Sequence, residues 1–87
     1  MIKKQFVINS EAGLHARPAT LFVNTSKKYN SEIQVTKGEK KADAKKFLQV
    51  LSLGALKGDK ISIDISGDDE KEAVVALEQL IDNNFVE

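Results

Sequence analysis

The stretch Lys60–Ser66 sets the tightest limit on the fold, because Ile61, Ile63 and Ile65 alternate without a break with Lys60, Ser62, Asp64 and Ser66. A period of two puts the isoleucines on one face of a strand and the polar side chains on the other. One face then meets the core and the other meets water. Helices elsewhere in the chain must cover the apolar face.

Three segments have helical spacing. From about Ala16 to Lys28, the residues Ala19, Phe22, Val23 and Ser26 recur at intervals of three and four, and Pro18 falls in the first turn, where its missing N–H costs nothing. Residues 47–53 form a dense apolar run with Gly54 just beyond, which predicts a short helix ended by a glycine signal. Asp69-Glu70-Lys71-Glu72 opens the third, with an acidic first turn and an Asp/Glu pair at capping-box spacing. Ala73, Ala76, Leu77, Leu80 and Ile81 trace its buried stripe.

Three more strands complete the pattern. Residues 3–8 are β-rich and end at Asn9-Ser10-Glu11-Ala12-Gly13, a turn-forming composition. Glu32–Lys37 alternates with Ile33 and Val35 on one face, and Lys37-Gly38-Glu39 reverses the chain into a short arm at Lys40–Asp43. The order is βαββαβα. This predicts an α+β fold, a four-stranded, largely antiparallel sheet with three helices on one face.

Length and composition narrow the functional classes. Eighty-seven residues suit a single domain over 1–87, with enough core to fold unaided but no room for a deep substrate cleft. No cysteine is present, and the lone histidine rules out a histidine cluster, so neither a metal nor another cofactor is expected. The N-terminus lacks the apolar run of a signal peptide, and no segment reaches membrane-spanning length, which predicts a cytoplasmic chain without membrane insertion. Net charge is zero, yet residues 1–46 sum to +6 and residues 47–87 to −6. That polarity can steer a partner. Aromatic residues are only 6% of the chain, which argues against nucleic acid as that partner.

The chemistry concentrates in Gly13-Leu14-His15-Ala16-Arg17-Pro18. His15 stands at the entry to a helix, where the N–H groups of Ala16 and Arg17 have no intrahelical acceptor and the helix dipole favours an anion. Arg17 adds a permanently charged planar fork. An imidazole so placed can attack a phosphoryl group and hold it among these donors.

Together with Ser52-Leu53-Gly54 and Gly67-Asp68-Asp69-Glu70, this segment resembles HPr, the histidine phosphocarrier family of the bacterial phosphoenolpyruvate:sugar phosphotransferase system. The resemblance runs from end to end. It implies an open-faced β-sandwich in which His15 is phosphorylated on Nδ1 by enzyme I and dephosphorylated by sugar-specific enzyme IIA domains, with Ala16 and Arg17 binding the phosphate. Phe47, Leu48 and Leu51 exceed what one buried face needs and offer a docking face, each an equal candidate for core packing. The resemblance places Thr20, Asn24 and Lys27 beside it, with Lys46, Gln49 and Ser52 expected to complete it. A monomer is the default state.

Two positions depart from the family pattern. Lys46 stands where many relatives have a regulatory serine, so it offers a kinase no hydroxyl and the short helix loses a serine N-cap. Ala12 replaces a serine or asparagine, removing a hydrogen-bonding side chain near the site. Two rival readings stay open. One is an HPr-like regulatory or nitrogen-branch paralogue, and the other a small α/β interaction or nucleic-acid-binding domain.

Overall fold

The three isoleucines of the alternating strand lie at the centre of the sheet. The computed structural model describes residues 1–85. Along the chain run β1 (Ile2–Val7), α1 (Ala16–Lys27), β2 (Glu32–Lys37), β3 (Lys40–Asp43), α2 (Phe47–Ser52), β4 (Lys60–Ser66) and α3 (Glu70–Asp82). The strands pair in the order β1-β4-β2-β3, and every pair is antiparallel. The expected βαββαβα open-faced sandwich is the fold observed.

Register explains the single core. Phe6 lies opposite Ile61, Ile33 opposite Ile65, and Val35 opposite both Ile63 and Ala42, so one face of the sheet is continuously apolar. Against it pack Phe22 and Val23 of α1, Val50 of α2, and Leu77 and Ile81 of α3, all buried. Ala19 and Ala73 are fully buried with them, small side chains that leave room for close helix packing. The other sheet face presents Lys3, Gln5, Ser62, Asp64, Gln34, Thr36, Lys41 and Asp43. None is aromatic, which leaves that face without a platform for stacking bases.

Boundaries moved by one residue in three elements, among them α1, which ends at Lys27 with Lys28 as its C-cap. The first strand starts and stops one residue earlier than expected, and α2 ends at Ser52, with Leu53 as its C-cap and Gly54 at φ +62°. In α3, Ala76 and Leu80 are half-buried and only Ala73, Leu77 and Ile81 reach the core.

The expected capping box at Asp69 is not formed. Asp69 occupies the N-cap of α3 but makes no side-chain bond to its own helix. Its carboxylate instead accepts the N–H of Asn30 at 2.8 Å, the N–H of Ser31 at 2.9 Å and the hydroxyl of Ser31 at 2.5 Å. The turn before α3 is thereby tied to the turn between α1 and β2. Those bonds, the Ser31 hydroxyl foremost and the Asn30 N–H next, hold the Asp69 carboxyl below its ordinary value of 3.8.

A pH dependence follows. The unfolded chain takes up this proton near 3.8 and the folded chain only at lower pH, so the tie stabilises the fold above 3.8 and is lost as pH falls through the folded value. The urea midpoint of the native chain should therefore drop more steeply on acidification than that of an Asp69→Asn variant. Equal slopes in the two proteins would remove Asp69 from the acid transition.

Candidate functional site

After β1 the chain crosses the end of the sheet and is fastened there from both sides. Ile8 donates its N–H to the carbonyl of Asp59 at 2.9 Å and accepts the N–H of Gly58 at 2.6 Å. Gly13 donates to the carbonyl of Ser10, closing a turn in which Ala12 is exposed, and Leu14 donates to the carbonyl of Ala55 at 2.9 Å. The side chain of Leu14 is buried beneath. Gly13 has φ +62° and runs so close to residues 55–56 that a Cβ on it would stand 2.3 Å from the Ala55 carbonyl oxygen. Only glycine fits there without a shift.

This anchoring delivers His15 to the N-cap of α1 in an extended conformation, φ −89° and ψ −165°. Its carbonyl accepts the N–H of Ala19 at 2.8 Å, which begins the helix. The imidazole is exposed and makes no capping bond. Ala16 and Arg17 occupy the first two helical positions, whose N–H groups have no intrahelical acceptor, and Pro18 at the third has no N–H. Both Ala16 and Arg17 are exposed. The site therefore offers an unencumbered ring nitrogen, two amide donors, the positive end of a helix and a guanidinium. This set suits an anionic group that must arrive and leave.

Next to this site the structure brings together two helical surfaces. On α1, Thr20, Asn24 and Lys27 are exposed, and the Thr20 hydroxyl donates to the Ala16 carbonyl at 2.8 Å. α2 packs against α1. Its apolar residues divide: Val50 enters the core, Phe47 and Leu51 are half-buried against it, and Leu48 stays 73% exposed. Gln49 and Ser52 are exposed but locally engaged. The Gln49 Oε1 accepts the N–H of Asp43 at 2.9 Å, and the Ser52 hydroxyl donates to the Leu48 carbonyl at 2.6 Å.

Lys46 is the N-cap of α2, extended, exposed and without a capping bond. A hydroxyl there could accept an N–H of the first turn. A Lys46→Ser variant should therefore gain about 0.5–2 kcal/mol in a urea titration. No gain would mean that α2 is already held by its packing alone.

Residues 54–59 form the floor under Gly13 and Leu14, a role their sequence does not reveal beyond Gly54 as the end of the short helix. The signal was a pair of glycines, Gly54 and Gly58, both at positive φ. Asp59 in this segment accepts the N–H of Leu56 at 2.9 Å and pairs with Lys37 at 3.3 Å, and these two contacts, the Leu56 bond first, hold its carboxyl below the ordinary 3.8. Among the described residues no cluster of His, Cys, Asp or Glu could hold a metal ion, and no helix is long and apolar enough to cross a membrane.

Comparisons with known proteins agree with this geometry. The family model described as the PTS HPr component phosphorylation site matches residues 2–83. The chain is 44% identical to HPr-C-His of Thermoanaerobacter tengcongensis, with a TM-score of 0.96, covering 100% of this chain and 98% of that one. The phosphocarrier protein HPr of Bacillus anthracis is 32% identical with a TM-score of 0.88, covering 92% and 95%. Crh of Bacillus subtilis, a domain-swapped dimer, is 29% identical with a TM-score of 0.76 over the whole of both chains. Fold and match together define a phosphocarrier protein and not a catalyst. The chain belongs to the HPr family of the phosphotransferase system.

Proposed function

We propose that His15 accepts a phosphoryl group from phospho-enzyme I and passes it to sugar-specific enzyme IIA domains. The observation that carries this reading is an exposed imidazole at a helix N-cap with no hydrogen bond of its own, followed by the amides of Ala16 and Arg17. In each step an N–P bond forms on one partner as the bond on the other breaks. The amides and Arg17 hold the phosphoryl oxygens in place meanwhile. The reaction needs no cofactor.

Docking falls to Thr20, Asn24, Lys27, Lys46, Phe47, Leu48, Gln49, Leu51 and Ser52. Support comes from the exposed Leu48 and from the charges around it. Arg17, Lys27 and Lys46 have no ion-pair partner among the described residues, so an acidic partner surface can engage all three. One copy of the chain, acting in the cytoplasm, is sufficient for this work. Crh is a swapped dimer, however, so association of two copies is open to this fold.

The second reading is a regulatory paralogue that acts by binding, favoured by the likeness to Crh, which is named for catabolite repression. One assay separates the two: the chain is incubated with enzyme I and phosphoenolpyruvate, and its intact mass is read before and after mild acid. Carriage predicts one added phosphoryl group that acid removes. No uptake favours the binding-only paralogue.

A further inference from the structure

The phosphate-binding loop does not stand on the sheet directly. It rests on residues 54–59, through the bond from Leu14 to Ala55 and the close approach of Gly13 to the same carbonyl. Those six residues contain no helix or strand, only a turn at Lys57-Gly58, so something must fix their shape. Within the segment, Asp59 accepts the N–H of Leu56 at 2.9 Å and returns its own N–H to the Leu56 carbonyl at 2.9 Å. Only one end is closed by these bonds.

The other end is reached from outside. Lys37, the last residue of β2, donates its ammonium to the Gly54 carbonyl at 3.2 Å and pairs with the Asp59 carboxylate at 3.3 Å. One side chain thus spans the first and last residues of the segment, and it comes from a strand that takes no part in the site. Both partners are about two-thirds shielded from water, with side-chain exposures of 31% and 35%. The Coulomb attraction is therefore less screened than in a fully exposed pair.

We infer that Lys37 is a positioning residue for phosphoryl transfer. By clamping residues 54–59 it fixes the carbonyl on which Leu14 hangs, and through Leu14 it sets the entry of His15 into α1. The polar partners of the Lys37 ammonium, the Gly54 carbonyl and the Asp59 carboxylate, both belong to the floor, so its effect passes through that segment. The inference rests on the carrier reading of His15, and two separate readouts keep the two apart.

The first readout needs no phosphate. Amide hydrogen exchange of Leu14 should quicken by about 3-fold to 10-fold in Lys37→Met, the worth of one modest polar contact, and stay native in Lys37→Arg. The amide of Ile63, in the central strand, should not change. The second readout is phosphoryl uptake from enzyme I, where Lys37→Met should lower the maximal rate by a similar factor with the donor KM unchanged, and Lys37→Arg should restore it. Unchanged Leu14 exchange in Lys37→Met overturns the clamp, whatever the uptake. Equal acceleration at Leu14 and Ile63 also overturns it, since that reports general loss of stability. Failure of the carrier reading shows instead as uptake by a chain lacking His15.

Discussion

A His15→Ala chain is expected to take up no acid-labile phosphate from phospho-enzyme I, while its urea midpoint stays within about 0.5 kcal/mol of native, as for surface changes away from packing or capping features. The two halves of this result come from one fact. The imidazole is exposed and makes no capping bond, so removing it leaves no cavity and no orphaned partner. No second imidazole or thiol is present to replace it. Arg17 has no lone pair to offer, because its guanidinium stays protonated. Intact mass before and after mild acid reads the first half and a urea titration the second. Acid-labile phosphate on the alanine variant would sink the assignment of the nucleophile.

The placement of the candidate site could be read from sequence because its parts are contiguous. His15, Ala16, Arg17 and Pro18 share one turn of chain, so the geometry of a helix start places them without any knowledge of tertiary contacts. The same holds for β4, whose alternation records burial on one face and water on the other. What could not be read depends on partners distant in the chain. Asp69 and Glu72 have capping-box spacing, yet the Asp69 carboxylate is claimed by Asn30 and Ser31, some 38 residues earlier, and local pattern holds no sign of that competition. The floor at residues 54–59 escaped for the same reason, since it gains its role only when Leu14 arrives beside Ala55. Spacing likewise left Phe47, Leu48 and Leu51 equal candidates for core or surface. Packing against the sheet separates them, drawing Phe47 and Leu51 inward and leaving Leu48 exposed.

Glycine 13 gives the largest structural effect expected of a single methyl group. Its φ of +62° alone costs a residue with a side chain about 1–2 kcal/mol. Gly38 has nearly the same φ, +59°, but nothing lies within 4 Å of where its Cβ would be, so Gly38→Ala should lose only that amount. At Gly13 the new Cβ also meets the Ala55 carbonyl oxygen at 2.3 Å and the Leu56 Cα at 2.9 Å. These are backbone atoms, and that oxygen already accepts the Leu14 N–H. Relief therefore requires the loop and its floor to part, breaking the bond that orients His15. With overpacking at about 1–3 kcal/mol, Gly13→Ala should lose about 2–5 kcal/mol in all, a large share of the about 5–15 kcal/mol typical of a domain. In thermal unfolding each kcal/mol corresponds to about 4–8 °C at this size, so the two alanine variants should separate clearly. Phosphoryl uptake should fall in Gly13→Ala and stay native in Gly38→Ala. Equal midpoints for the two variants would show that the floor yields freely, and the rigid support proposed for the histidine would then be lost.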